Sequence, residues 1–175
     1  RCLSTGAYIP DGVQPSISPS MDIQVSSNFE RALYFAYGKD GAAVAGLMEE
    51  LKAGGFTLSQ GVKAALAGAF DSGRCSEAET SATITATLKN AAELLCPHTA
   101  VGVKVAEEQR VQGVPMITLA TAHPAKFPDA VEAASGIRPG LPPHMADLFE
   151  RPKRVTRLSN DLSALEAHVR EHRRK

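Results

Sequence analysis

A short, almost wholly apolar run in the second half of the chain restricts the folds available to it. The run, Val114-Pro115-Met116-Ile117-Thr118-Leu119-Ala120, is too short for most helices and lacks polar alternation, so it predicts a strand buried on both faces. Residues 97–113 just before it begin with proline, repeat apolar side chains at helical spacing and end in glycine. A helix followed by a buried strand is typical of α/β folds. We therefore expect an α/β architecture.

Most of the remaining chain predicts helices, so the fold should be helix-rich with a few buried strands. Residues 40–73 are interpreted as a helical insertion on the α/β frame, and in the last helix Leu162, Leu165 and Val169 are expected to face inward. A cap for that helix is expected at Ser159 or Asn160. One further short strand is predicted at residues 21–25 from its alternation. Helices are predicted at residues 28–37, 40–54, 59–70, 76–96, 97–113, 128–134 and about 160–175.

Charge and cysteine content argue against several classes of protein. Nineteen basic side chains balance nineteen acidic ones, so no net field attracts nucleic acid or an anionic membrane. The basic stretches at residues 151–154 and 173–175 are more typical of a solvated surface than of a nucleic-acid site. Three cysteines without a C-x-x-C pair or metal-spaced histidines predict neither disulfides nor a zinc site. No apolar run approaches the ~20 residues that span a bilayer, and no signal peptide opens the chain, which favours the cytoplasm.

The polar residues that follow the predicted strand are the first candidates for a ligand site. In open α/β sheets ligands bind at the carboxyl ends of strands. The Thr121 hydroxyl at this point can bond to a heteroaromatic ring nitrogen, or it can satisfy backbone at the strand end, which is the commoner arrangement. His123 before Pro124 allows acid–base chemistry or a hydrogen bond that fixes its own loop. The residues themselves leave both alternatives open.

Two helix starts offer weaker signals for anion binding. Free N–H groups and the helix dipole after Ser26-Ser27-Asn28 attract phosphate, and Arg31 lies one turn further on. His98-Thr99 opens another helix in the same way. Ordinary capping accounts equally for both segments, so neither one establishes a site.

Four long sequence motifs follow one another along the chain. They are Ser18-Pro19-Ser20-Met21-Asp22-Ile23, Ser26-Ser27-Asn28-Phe29-Glu30-Arg31, Pro97-His98-Thr99-Ala100-Val101-Gly102 and Ala120-Thr121-Ala122-His123-Pro124-Ala125-Lys126-Phe127. In this order and with this spacing they resemble threonine synthases, and the resemblance covers essentially the whole chain. It implies the C-terminal part of the large domain of a pyridoxal-phosphate (PLP) enzyme of fold type II, similar to tryptophan synthase β, that converts O-phosphohomoserine and water to L-threonine and phosphate.

The resemblance assigns roles residue by residue. Thr121 matches the family threonine whose hydroxyl approaches the pyridine nitrogen of PLP, and His123 would support that loop. Asn28 and Arg31 become candidates for binding substrate phosphate. The Schiff-base lysine and the glycine-rich phosphate loop of the family precede the part that corresponds to Arg1. Lys126 does not match that lysine, so this segment is expected to hold no catalytic residue and to be inactive by itself.

One departure from the family and one alternative follow from the same residues. The family commonly has aspartate where this chain has Cys96, directly before Pro97. Because cysteine is a poor acceptor for the free N–H groups of a helix start, we expect the helix to lose up to ~1 kcal/mol of capping free energy. The alternative, suggested by the missing lysine, is an independent non-catalytic ligand-binding or regulatory domain derived from the same fold.

Overall fold

The computed structural model describes residues 1–173, and helices dominate this range. The predicted helix-rich fold with few strands is confirmed, although the strands are not those expected. The two strands within this range, β1 (Ala7–Tyr8) and β2 (Phe56–Thr57), pair antiparallel. The predicted end of the last helix at residues 174–175 lies outside the described range. The helices are α1 (Cys2–Thr5), α2 (Phe29–Ala36), α3 (Gly41–Lys52), α4 (Gln60–Ala67), α5 (Glu77–Ala91), α6 (Pro97–Glu108), α7 (Pro128–Ser135) and α8 (Leu162–His172).

The chain divides into a large unit, Arg1–Gly140, and a small one that begins at Leu141. The first core of the large unit lies among α2, α3, α4 and β2, which contribute all of its buried side chains except Leu58, between β2 and α4. Local signals start these helices where the sequence predicts, since the Asp40 carboxylate accepts from two N–H groups of α3 and the Ser59 hydroxyl accepts from one of α4. The buried side chains of this core are Leu33, Leu47, Leu51, Phe56, Leu58, Val62 and Leu66.

The second core of the large unit lies among α5, α6 and α7. Buried Ile84 of α5 and Ala100 of α6 pack with Leu95 of the connection between them. The Thr85 hydroxyl of α5 donates to the carbonyl oxygen of Ala134 in α7 at 2.6 Å. These contacts hold the N-terminus of α6 in place, and the candidate site described below is built on that N-terminus.

The predicted buried strand at residues 114–120 is wrong. The segment is not a strand, and most of its apolar side chains are exposed, including Ile117 at 81% and Leu119 at 75%. A buried strand needs backbone partners on neighbouring strands and side chains above and below it. In the range 1–173 the sheet consists of β1 and β2, which pair only with each other. The second predicted strand, at residues 21–25, is also wrong, because Met21 ends a 3-10 turn and Ile23 and Val25 are exposed.

The small unit contains a 3-10 turn at Pro143–Met145 followed by α8. The cap of α8 is Asp161, whose carboxylate accepts from the Ala164 N–H at 2.9 Å, so the expected caps at residues 159 and 160 are wrong. The expectation that its apolar side chains face inward is wrong too, because Leu162, Leu165 and Val169 are exposed. An apolar stripe at helical spacing predicts a buried face only where another layer covers it. No helix in the described part of the chain combines the length and apolarity needed to cross a membrane.

Candidate functional site

Thr121 lies in the loop that joins the exposed apolar segment to a 3-10 turn at Pro124–Lys126. Its backbone N–H donates to the Thr99 hydroxyl oxygen at 3.2 Å, while its own side chain is exposed. The backbone of Thr121 is therefore anchored by the side chain of a second threonine. Thr121 is an exposed residue, so a ligand can reach it.

The N-terminus of α6 provides that anchor. The Cys96 sulfur is the N-cap, 3.4 Å from the Thr99 backbone nitrogen that donates to it, and it also lies 3.2 Å from the Thr99 hydroxyl oxygen. Cys96 is 1% exposed and Thr99 is 4% exposed. Cysteine therefore does accept one of the free N–H groups of this helix start, and the expected loss of capping free energy stays a prediction. A donor–acceptor distance of 3.4 Å suits sulfur, which has a larger radius than oxygen.

His98 lies in one of the four motifs that carry the resemblance and contacts residues of two others. Its Nε2 accepts from the Ser20 N–H at 3.1 Å, and its ring packs on Phe127 with ring centroids 4.4 Å apart. Because Nε2 is an acceptor, the proton of the neutral ring lies on Nδ1, which is buried without a partner among residues 1–173. Burial lowers the pKa of His98, the nearby Lys126 ammonium lowers it further, and Asp22 opposes both. The ring is thus held neutral.

His123 caps the 3-10 turn that follows Thr121. Its Nδ1 accepts from the Ala125 N–H at 3.2 Å, and its carbonyl oxygen accepts from the Lys126 N–H at 3.0 Å. These bonds place the imidazole within its own loop. Lys126 is exposed, with its ammonium 5.5 Å from the centre of the Phe127 ring.

Asn28 and Arg31 lie at the start of α2 and are exposed. The Arg31 guanidinium donates to the Asn28 side-chain oxygen at 2.5 Å, and Asn28 is the N-cap residue without a side-chain capping bond. The two side chains are thus paired with each other. Their assignment to substrate phosphate stays a prediction.

A cavity of about 270 Å³ opens beside the Thr121 loop. Its wall is mainly apolar, and the Thr99 side chain contributes to it. Within residues 1–173 no three His, Cys, Asp or Glu side chains cluster as metal ligands would. The lining residues are Glu93, Leu94, Leu95, Cys96, Thr99, Ala120, Ala122, His123 and Pro124.

Comparison with known proteins relates this arrangement to one family. The family model described as "Threonine synthase, C-terminal" matches residues 99–169, a span that begins at Thr99 and includes Thr121. The chain is 52% identical to the crystal structure of PLP-bound threonine synthase from Brucella melitensis, with a TM-score of 0.84 over 100% of this chain and 38% of that chain. The chain corresponds to the C-terminal portion of threonine synthases.

Other threonine synthases give the same relationship. The Pseudomonas aeruginosa threonine synthase is 48% identical over 175 residues, which are 98% of this chain and 37% of the relative. The structure of yeast threonine synthase is 32% identical, with a TM-score of 0.76 over 98% of this chain and 39% of that chain. The chain therefore spans somewhat more than a third of the length of these relatives. Its expected place in the fold of threonine synthases is confirmed.

The contacts between these sequence motifs could not be predicted from the sequence. The segment His98-Thr99 stood out only as a helix start with anion binding or capping as alternatives, and the structure has Thr99 bonded to Thr121 instead. The available signal was chemical, because a hydroxyl in the first turn of a helix has a free acceptor for a nearby backbone N–H. The sequence does not say which N–H that is, since the two threonines are separated by 22 positions.

Proposed function

We propose that the complete protein containing this chain is a threonine synthase, a PLP-dependent lyase of the cytoplasm that converts O-phosphohomoserine and water to L-threonine and phosphate. The observation that carries the proposal is the exposed Thr121 hydroxyl on an anchored loop, in a chain 52% identical to a PLP-bound threonine synthase. The family match over residues 99–169 supports the same function.

The residues of the site fit the cofactor. The Thr121 hydroxyl is neutral and can donate to an unprotonated pyridine nitrogen, whereas a carboxylate there would favour the protonated ring. Thr121 would hold the ring nitrogen while the backbone bond to Thr99 keeps the loop from moving. When bound, PLP supplies an electron sink that stabilises negative charge developing on the substrate. His123 would act by shaping the loop, through its bond to Ala125.

Substrate binding and turnover divide between this chain and the rest of the protein. We assign the lysine that bonds PLP and the loop that binds its phosphate to the preceding part of the family's sequence, so residues 1–175 by themselves should show no turnover. Asn28 and Arg31 would bind the substrate phosphate, for which a paired amide and guanidinium at a helix start are suited. The exposed apolar segment at residues 114–119 supports a larger assembly, because it offers a ready surface for further strands.

The proposal is tested by phosphate release from O-phosphohomoserine in the complete protein and in two variants. Thr121→Val removes the hydroxyl at nearly constant volume, and we expect PLP affinity to fall about five- to tenfold, as for loss of one neutral hydrogen bond. Thr121→Ser keeps the hydroxyl and should retain most of the affinity. Unchanged cofactor affinity in Thr121→Val would show that the hydroxyl does not contact the ring.

Two further outcomes would contradict the proposal. Complete protein that binds PLP but releases no phosphate from O-phosphohomoserine would exclude this substrate. Threonine formation by residues 1–175 alone would contradict the division of the active site. Specific ligand binding by that chain alone, without turnover in the complete protein, would favour the independent regulatory domain.

A further inference from the structure

The hydrogen bond between Thr99 and Thr121 joins the backbone of the residue proposed to contact the cofactor to a buried side chain. Thr99 is 4% exposed, in the first turn of α6, and its hydroxyl oxygen accepts from the Thr121 N–H. A threonine side chain is stiff about its first side-chain torsion because it is branched at Cβ. The Thr99 oxygen therefore has little freedom to move with the loop. The position of the Thr121 backbone is set by α6.

Cys96 fixes the Thr99 oxygen from the other side. The Cys96 sulfur lies 3.2 Å from that oxygen and accepts from the Thr99 N–H at 3.4 Å. The three groups form a short chain of contacts, from sulfur to hydroxyl to the Thr121 N–H, and the sulfur end is 1% exposed. Buried hydrogen-bonded chains of this kind hold their members in one arrangement.

A second contact between α6 and the same segment is independent of these bonds. A Cβ added at Gly102 would lie 3.2 Å from the Thr118 methyl group, so the segment approaches α6 closely there. Gly102 is three residues after Thr99, on the same face of the helix, and Thr118 is three residues before Thr121. Residues 118–121 thus pack against the face of α6 formed by Thr99 and Gly102.

We propose that Thr99 is a positioning residue for cofactor binding, which rests on the function proposed above. Through its hydroxyl it holds the Thr121 backbone at the distance from α6 that presents the Thr121 side chain to the pyridine nitrogen. Cys96 keeps the Thr99 hydroxyl in the required orientation. Thr99 touches neither substrate nor cofactor in this role and acts only through Thr121.

The test compares three variants of the complete protein. Thr99→Val removes the hydroxyl, Thr99→Ser retains it, and Thr83→Val is the control, since the Thr83 hydroxyl bonds within α5, to the Glu79 carbonyl oxygen at 2.8 Å. Amide hydrogen exchange of the peptide containing Thr121 is measured without cofactor, and PLP affinity and the absorption spectrum of bound PLP are measured separately. The exchange measurement reports the Thr99 bond whatever the protein binds.

We expect Thr99→Val to speed exchange at Thr121 and to weaken PLP binding about five- to tenfold, the effect of losing one neutral hydrogen bond. Thr99→Ser should restore both properties, and Thr83→Val should change neither. Gly102→Ala gives a second route if Thr99→Val does not fold, because it presses on Thr118 while keeping every hydroxyl, and it should also weaken PLP binding.

Faster exchange with unchanged PLP affinity and spectrum would reduce Thr99 to a structural role and overturn the proposal. Unchanged exchange in Thr99→Val would overturn it as well, since the bond would then not hold the loop. Unaltered protein that fails to bind PLP would instead remove the proposed function, and the positioning role with it. Measuring PLP binding by the unaltered protein therefore tests the proposed function first, and the variants then test the positioning role of Thr99.

Discussion

At the residue scale, a cysteine performs a task that short oxygen side chains usually perform. The Cys96 sulfur caps α6 and contacts the Thr99 hydroxyl from a buried position. The sequence identified the helix start and Pro97 correctly, but not the capping geometry, because average preferences at the N-cap rank cysteine low. The result depends on burial, which is a property of the folded surroundings.

Replacing this sulfur should lower the stability of the protein. Cys96→Ala removes the cap and leaves a small cavity, so we expect the free energy of unfolding to fall by about 1–2 kcal/mol. Cys96→Ser keeps an acceptor at the cap and should lose less. Urea denaturation of both variants measures the difference, and an equal loss in the two would show that packing rather than capping accounts for it.

Gly55, directly before β2, lies close to the backbone of β1. Its φ is +135°, and a Cβ there would lie 2.7 Å from the Tyr8 carbonyl oxygen. We expect Gly55→Ala to lower the free energy of unfolding by about 1–3 kcal/mol through strain. Gly46→Ala, in the open middle of α3 where nothing lies within 4 Å, should instead raise it by about 0.5–1 kcal/mol. Thermal unfolding of both variants gives the two signs, and destabilisation by both would contradict the steric explanation.

At the element scale, α5 begins with a reciprocal cap that responds to pH. Ser76 and Glu79 bond to each other's backbone N–H groups, and the Lys104 ammonium of α6 lies 3.3 Å from the Glu79 carboxylate. The bonds from the Ser76 backbone and hydroxyl, with Lys104 in support, lower the pKa of Glu79 to about 2. The cap thus favours the charged carboxylate in the folded protein.

The sign of the pH dependence follows from that direction. A lowered pKa in the folded state contributes stability that is present above the ordinary glutamate pKa and is lost as the pH falls towards about 2. We expect Glu79→Gln to flatten the decline in the free energy of unfolding between about pH 4.5 and pH 2. Glu107→Gln, an exposed carboxylate 3.7 Å from Arg110, serves as the matched control. If the free energy of unfolding of Glu79→Gln declined as steeply as that of the unaltered protein, Glu79 would not be the source of this pH dependence.

Helices were predictable from sequence to the extent that their signals are local. Asp40, Ser59 and Ser76 are caps at the positions where the sequence predicts the helices to begin, and Gly136 ends α7 with a φ of +73°. The predicted helix at residues 76–96 extends too far, because α5 ends at Ala91. Ala92 adopts a left-handed backbone conformation, which alanine rarely does, so its identity gives no signal for a helix end. The two-residue strands escaped notice because two residues show no period.

At the scale of the whole molecule, the sequence predicted the kind of fold and the family but not the contacts that build the site. Thr121 was marked by its place after an apolar run and by the resemblance, while Thr99, Cys96 and His98 meet their partners only through folding. The hydrogen bond between Ser20 and His98 spans 78 positions, and no local pattern encodes such a pair. The apolar residues at 114–120 and in α8 predicted buried side chains, but these side chains are exposed. An apolar pattern leads to burial only where another helix or sheet packs against it, and the pattern does not show whether one does.

The segment Met116-Ile117-Thr118-Leu119, whose three large apolar side chains are exposed, also has a consequence for handling the protein. A short uncharged segment rich in residues of high β propensity favours pairing with copies of itself, so the chain prepared by itself should aggregate with rising concentration. We expect Ile117→Lys to increase the amount of chain that stays in the supernatant after centrifugation, whereas Val25→Lys, at an exposed apolar side chain outside the run, should change it little. Equal gains from both would attribute the effect to net charge. We therefore expect the exposed apolar side chains of this segment to limit the concentration at which the chain stays in solution.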